Sequence, residues 1–232
     1  MYPPDADKQY SVTVLICTLN EEDNLPSKLQ KIPVWVDEVL IVDGHSTDKT
    51  VEVAKEICPE IKVVYQPGKG KGNALKIGIE NATGDIIVTL DADNATDPAE
   101  MPKFIDKLLL GYDYIKGTRF VSGRAYNKPF HRVLGNWIIT MTFDVLFFRL
   151  YTDMCSGYNA YWRKNVQEIQ IFSTDGYENE PLINARIAKS RLNVIEVGHS
   201  DHGRSKGDVK ESSWRQGVKA IKSITRERFR NG

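Results

Sequence analysis

Neither sign of charge prevails in this 232-residue sequence: 31 Lys and Arg stand against 31 Asp and Glu, so the formal net charge is zero. Bulk charge therefore offers no reason to expect nucleic acid or an acidic polymer as a partner, and any such preference must come from local patches. Cysteine is scarce. Cys17, Cys58 and Cys155 are odd in number and form no CxxC pair, which argues against a disulfide framework and for a reducing, cytoplasmic setting. The polar first ten residues lack the apolar core of a secretory signal. The most apolar segment, residues 130–150, has its longest charge-free stretch over 133–143 and is then broken by Asp144 and Arg149, too short and too charged to span a bilayer. Repeats and low-complexity tracts are also missing. What remains is ordinary globular composition, 41% hydrophobic and 27% charged. The length suits a single domain with a sizeable core.

The first half alternates strand-like and helix-like runs. Residues 12–19, 39–42, 61–65 and 86–90 read as strands. Residues 46–57, 73–81 and 98–110 read as helices, the first capped by Ser46 or Thr47, the last with Pro98 in its first turn. Strands separated by helices of this length imply βαβ units and an α/β fold with a mostly parallel sheet. Ligands of such sheets bind beyond the carboxyl ends of the strands. Three polar clusters directly follow the strands: Asn20-Glu21-Glu22, Asp43-Gly44-His45 and Asp91-Ala92-Asp93. All three are expected along one edge. The second half is less regular, with strands expected over 156–162 and 194–197, a long apolar helix over 130–150 and a basic amphipathic helix over 214–229.

Asp91-Ala92-Asp93 carries the clearest chemistry. Two carboxylates so spaced at a strand end can reach one hard cation directly or through water, and Mg²⁺ or Mn²⁺ favours such oxygens and shares them with substrate phosphates. Alone the triplet is a weak signal, since acidic loop triplets are mostly solvated turns or caps; its place after a buried strand strengthens it. Asp43 has two readings of equal weight, a turn-capping role before Gly44 and a ligand contact. Gly68-Lys69-Gly70-Lys71-Gly72 has the composition of a phosphate cradle, but no Ser or Thr follows a Gly-Lys pair as a P-loop requires. His199 and His202 could be zinc ligands, yet further ligands are not evident, and an ordinary hydrogen-bonded loop histidine is the simpler reading.

Taken in order, Thr18-Leu19-Asn20-Glu21-Glu22, the run from Val42-Asp43-Gly44 to Lys49-Thr50, Gly68-Lys69-Gly70-Lys71-Gly72-Asn73-Ala74 and Asp91-Ala92-Asp93 resemble family-two inverting glycosyltransferases. Within that family the chain is most similar to dolichol-phosphate mannose or glucose synthases and other polyprenyl-phosphate glycosyltransferases. That narrower likeness comes from Gly117-Thr118-Arg119-Phe120, Asp153-Met154-Cys155-Ser156-Gly157-Tyr158, Glu178-Asn179-Glu180 and His202-Gly203-Arg204-Ser205-Lys206. The Gln-x-x-Arg-Trp motif of processive polysaccharide synthases is absent; Trp214-Arg215-Gln216 has the wrong order.

The resemblance implies an A-type, Rossmann-like glycosyltransferase fold. Residues 10–120 form its nucleotide-sugar half, and residues 121–232 its acceptor half with amphipathic helices. It implies that Leu19, Asn20, Glu21 and Asp43 serve the nucleoside, that Lys71 lies near the base or diphosphate, and that Asp91, Ala92 and Asp93 serve the sugar and an Mg²⁺ or Mn²⁺ ion held by the two aspartates. Arg119, Arg132, Arg204, Ser205 and Lys206 become phosphate-side contacts, with Asp93, Arg119, Arg204 and Lys206 closest to the chemistry. The implied partners are a nucleotide sugar and a polyprenyl phosphate, met at the cytoplasmic face of a membrane. An anionic acceptor phosphate needs no base; a sugar hydroxyl would need one, and Asp153, Glu178 and Glu180 are then the candidates. Residues 130–150 separate these two acceptors: apolar side chains exposed on that helix favour lipid, buried ones a soluble acceptor. A sugar nucleotidyltransferase would carry a Gly-rich loop near its N-terminus, where this sequence has Thr18-Leu19-Asn20-Glu21-Glu22. A non-catalytic nucleotide- or lipid-binding scaffold fits poorly with intact acidic and basic motifs.

Overall fold

The structure, a computed structural model, describes residues 9–120, 130–168, 179–203 and 213–230. Its centre is a seven-stranded sheet in the order β3-β2-β1-β4-β6-β5-β7. The strands are β1 (Val12–Thr18), β2 (Glu38–Asp43), β3 (Lys62–Tyr65), β4 (Ile86–Asp91), β5 (Tyr114–Thr118), β6 (Asn159–Trp162) and β7 (Val194–Gly198). Only β6 runs against its neighbours: it pairs antiparallel with β4 and β5, while β1–β2, β1–β4, β2–β3 and β5–β7 are parallel.

Each face of the sheet is covered. Val12, Val14 and Ile16 of β1 join Val88 and Leu90 of β4 on one side, under Leu25 of α1 (Leu25–Gln30) and Phe104 of α4 (Met101–Leu109). Leu15 and Ile87 point the other way, toward Ala74, Leu75 and Ile79 of α3 (Gly70–Asn81). Two-sided burial explains why the strands read as continuous apolar runs instead of alternating ones. Gly78 is what lets α3 lie so close: a Cβ there would come within 2.4 Å of a Leu15 methyl. The long apolar helix is α5 (Phe130–Phe147); it packs with α7 (Asn179–Lys189) and α8 (Ser213–Phe229) through a separate cluster that includes Ile139, Phe143, Ala185, Ala220 and Ile224.

Several boundaries differ from the sequence expectation. The helix α2 (Thr50–Ile57) starts later than residue 46, its N-cap position is Lys49, and Ser46 and Thr47 do not cap it. Ser46 instead donates its amide to Asp43 Oδ1 (2.8 Å) and its hydroxyl to Asp43 Oδ2 (2.6 Å). Helix α3 begins at Gly70, not Asn73, because tertiary packing overrides the poor helix propensity of Gly70 and Gly72. This places Lys71 in a first helical turn rather than a free loop. Strand β6 begins at Asn159, not Ser156: Ser156 and Gly157 lie in the irregular segment before it. Strand β5 was not foreseen from residue pattern, since it carries Lys116 and Gly117, both buried.

Candidate active site

The sheet order places β1 between β2 and β4, so the connections leave in opposite directions at the β1/β4 gap. That is where open α/β sheets bind their ligands. In register, Cys17 lies opposite Asp91 and Thr18 opposite Asp43. The three clusters that follow β1, β2 and β4 therefore share one edge, as strand alternation alone implies.

Two of these clusters are fastened to each other. The Asn20 amide donates to Ser46 Oγ (2.9 Å), and the Asn20 side-chain oxygen accepts from the Thr47 amide (2.8 Å). The Glu21 amide donates to Thr50 Oγ1 (2.8 Å), and the Glu22 carboxylate accepts from the Lys49 amide (2.8 Å). Asn20 adopts φ +51° and His45 φ +63° to make these turns, a region disfavoured for most side chains but tolerated by Asn and His. Leu19 is partly exposed beside Gly44. The Asp43 carboxylate is fully buried and takes a third bond from Thr18 Oγ1 (2.9 Å). Its turn-capping role is thus visible in the geometry.

Asp91 closes β4 and faces Lys71 across the gap. Lys71 Nζ is 2.5 Å from Asp91 Oδ1 and also contacts Glu180 at the start of α7. Burial by itself would lower the Lys71 pKa, but the two carboxylates outweigh it and hold the ammonium well above its usual range. Burial likewise would raise the Asp91 pKa, and Lys71 more than reverses this. Gly157 backs the carboxylate so closely that a Cβ there would meet Asp91 Oδ2 at 2.5 Å. Ala92 is buried, and Asp93 Oδ1 accepts from the Ala95 amide (3.2 Å). Beneath this loop lies Lys28, fully buried, donating to the Thr96 carbonyl (2.6 Å) and hydroxyl (2.9 Å). Burial lowers its pKa to about 8, against the pull of Asp91 and Asp93. Sequence reasoning missed Lys28, because a lysine in a short amphipathic helix reads as solvent-facing.

Metal fit is a question of donor number. Among the described residues no three His, Cys, Asp or Glu side chains converge on a point that could hold a metal ion. Asp91 and Asp93 offer a carboxylate pair alone. That suits a hard cation completing its shell with water and the oxygens of a bound diphosphate, the usual habit of Mg²⁺ in phosphate chemistry.

Arg119, just after β5, is clamped by Asp153. Its Nε lies 2.6 Å from Asp153 Oδ2 and its Nη2 2.7 Å from Oδ1, while Nη1 is 3.9 Å from Asp201. Asp153 is fully buried; burial would raise its pKa, but Arg119 drives it far below the usual carboxylate range. Asp153 therefore does not fit the general-base role open to it in the sequence, because a carboxylate so firmly ionised and paired is a poor proton acceptor. Nor does His199 fit a zinc ligand: it is buried, with Nε2 bonded to Ser156 Oγ (2.9 Å) and Nδ1 to the Ser200 carbonyl (2.9 Å). The His202 amide donates to the Ala95 carbonyl (2.9 Å), so the segment after β7 docks on the acidic loop. Arg204, Ser205, Lys206 and Glu178 lie outside the described residues, as does the side chain of Arg132.

Residues 13–170 match the model of glycosyl transferase family 2. The chain belongs to that family and is a glycosyltransferase. Relatives include the glycosyltransferase AglJ of Haloferax volcanii, 30% identical over 89% of this chain and 66% of the relative. They also include the dolichyl-phosphate hexose transferase of the same organism, 30% identical over 93% of this chain and 92% of that protein. The chain thus spans just under two thirds of AglJ but nearly all of the hexose transferase. Among solved structures, glucosyl-3-phosphoglycerate synthase from Mycobacterium tuberculosis, in complex with Mn²⁺, UDP-glucose and phosphoglyceric acid, superposes with a TM-score of 0.76. It is 21% identical and covers 97% of this chain and 82% of that one, a likeness of fold. The mostly parallel sheet matches that A-type glycosyltransferase structure.

Proposed function

We propose that this protein transfers a hexose, with inversion, from a UDP- or GDP-linked sugar to a polyprenyl phosphate at a membrane surface. The reading has the 232 residues act as one domain, with the donor in the β1/β4 crevice and the acceptor brought by the α5–α8 side. An acceptor phosphate oxygen attacks the anomeric carbon in line; the bond from that carbon to the diphosphate breaks, and the nucleoside diphosphate leaves with the electron pair. A divalent cation bound by Asp91 and Asp93 would neutralise charge on that leaving group. Lys71 adds a second cation from the first turn of α3, whose amides also face anions well. Asn20, Glu21 and Asp43 hold the two loops that frame the nucleoside. For Arg204, Ser205 and Lys206, a phosphate contact rests on the resemblance of their motif alone. The acceptor is anionic from the outset, so the reaction proceeds without a base, in keeping with Asp153 being locked to Arg119.

The observation that carries the lipid acceptor is on α5. Its buried side, with Ile139 and Phe143, meets α7 and α8. Yet Leu134, Trp137, Ile138, Met141 and Val145 recur at helical spacing on an exposed side, Trp137 at 57% and Val145 at 68% exposure, and Phe148 follows at 85%. A contiguous exposed apolar stripe is unusual on a soluble surface. The neighbouring α8 exposes Arg215, Lys219, Lys222 and Arg226, again at helical spacing. Apolar and cationic stripes on packed helices fit an anionic leaflet, each cation adding about 1 kcal/mol near the surface. No helix among the described residues is long and apolar enough to cross a membrane, and the proposed contact is a peripheral one.

Two measurements test the proposal. Purified protein is incubated with Mn²⁺ or Mg²⁺, a panel of UDP- and GDP-sugars and a short polyprenyl phosphate, and the released nucleoside diphosphate is measured. Release that needs both metal and lipid phosphate is expected; equal release without lipid would be hydrolysis, with water taking the sugar, and would overturn the lipid acceptor in favour of a soluble one, and no release from any donor would overturn the activity. In liposome flotation, wild type should rise with vesicles containing phosphatidylglycerol, and Trp137→Glu/Met141→Glu should stay at the bottom. Equal flotation of the two would remove the α5 stripe as the membrane contact.

A further inference from the structure

Asp91 is asked to serve two cations. Its Oδ1 already holds Lys71 Nζ at 2.5 Å, and its carboxylate lies flat against Gly157, where a Cβ would stand 2.5 Å from Oδ2 and 2.6 Å from Oδ1. One face is closed by backbone and one oxygen is taken by an ammonium, so a divalent ion arriving at Asp91 competes with Lys71 for the same carboxylate. The lysine has somewhere to stay. Glu180, from α7 on the far side of the gap, contacts the same Nζ, and its side chain is only 11% exposed.

We propose that Lys71 is the resident counter-ion of the acidic site: it occupies Asp91 until a divalent cation and a nucleoside diphosphate arrive, then yields Asp91 to the cation and turns to the phosphates while Glu180 keeps it anchored. Glu180 is on this account a positioning residue for Lys71. The inference rests on the reading that Asp91 holds a divalent cation.

The exchange has a physical logic. With neither ligand bound, a lone pair of carboxylates facing each other across a half-buried gap would repel, and one ammonium between them removes that cost. A metal entering alone must break a charge-assisted contact and leaves Lys71 with a single partner. A metal entering with a diphosphate gives Lys71 new anionic oxygens at once. Metal and nucleotide should therefore bind with positive coupling, and Lys71 should carry a large part of it.

Mn²⁺ binding to the nucleotide-free protein, read by electron paramagnetic resonance of the free ion, tests this apart from activity. Lys71→Met should bind Mn²⁺ about tenfold more tightly than wild type, since one charge-assisted contact no longer competes. Lys71→Arg, which keeps the charge, should stay near wild type. Adding UDP or GDP should improve Mn²⁺ binding in wild type more than in Lys71→Met. Should Lys71→Met misfold, Glu180→Gln and Lys71→Met/Glu180→Gln give the same comparison without an extra buried charge, and the double variant should bind more tightly. A structural role alone would not move the last readout: Mg²⁺ added to wild type should raise acetylation of Lys71 by an amine-reactive reagent, measured by mass spectrometry, while exposed Lys69 stays constant. Absence of tightening on removal of Lys71, or unchanged Lys71 labelling, overturns the proposal. If Asp91→Asn binds Mn²⁺, with and without nucleotide, as well as wild type does, the metal assignment itself fails, which is a separate result.

Discussion

Asp91→Asn is expected to lower kcat/KM for hexose transfer by about a thousandfold, or roughly 4 kcal/mol of transition-state stabilisation. Two losses combine in that figure. The variant removes a formal charge from the Asp91 and Asp93 carboxylate pair at the end of β4, and an asparagine oxygen is a poorer ligand for a hard cation. It also leaves Lys71 with Glu180 alone before the ligands arrive, so the site's own charge balance changes as well. The fold should survive, because Lys71 retains Glu180 and the core strands on either side are untouched. Steady-state kinetics across a range of Mn²⁺ concentration separates the causes. Weak metal binding would be restored by excess Mn²⁺; loss of charge at the transition state would not. A variant with more than a tenth of wild-type kcat/KM would show that Asp91 does not hold the metal.

How much of this could be read from sequence depends on what kind of interaction each element uses. Strands β1, β2 and β4 were legible because they are buried on both faces and so spell continuous apolar runs, and the acidic residues directly after them then fall on one edge by topology alone. Strand β5 was hidden, because a buried lysine at position 116 and a glycine at 117 interrupt the short strand-favouring run of Tyr114, Ile115 and Thr118. The start of α3 was hidden for the same reason: Gly70 and Gly72 look like loop, and only the packing of α3 on β1 and β2 makes them helix. Site partners are harder still. The resemblance pointed to Lys71, Asp91 and Glu180, and to Arg119 and Asp153, but not to one another, since nothing in linear order says that α7 returns to the β1/β4 gap. Lys28 had no signal at all. The apolar segment 130–150 meets both halves of its expectation, since one side of α5 is core and another is exposed apolar surface.

The Arg119–Asp153 pair should give the largest effect on stability. Asp153 is fully buried, holds both Nε and Nη2 of Arg119, and also accepts from the Cys155 amide (3.0 Å). Asp153→Ala strands a guanidinium that is only 14% exposed, and breaking such a pair from one side costs about 3–5 kcal/mol. For a chain of this size that lowers Tm by roughly 6–20 °C. Removing both charges is a different experiment. Arg119→Met/Asp153→Leu removes both members of the pair, taking from Asp201 only a contact at 3.9 Å, and should recover most of the lost Tm, because apolar replacement of a whole buried pair is often neutral. Activity then separates the two roles of Arg119. A stable double variant that transfers sugar normally makes the arginine a structural brace, whereas a stable but inactive one makes it a phosphate contact that Asp153 holds in place. The pair also sets part of the acid limit. Arg119 keeps the Asp153 carboxylate ionised in the folded state far below its unfolded pKa, so on acidification the unfolded chain takes up this proton first. The stabilisation is complete above about pH 4, the unfolded value, and drains away as pH falls below it. Urea unfolding from pH 5 down to pH 3 should therefore show a steeper loss of stability in wild type than in the double variant, and parallel curves would mean that Asp153 is not held ionised by Arg119.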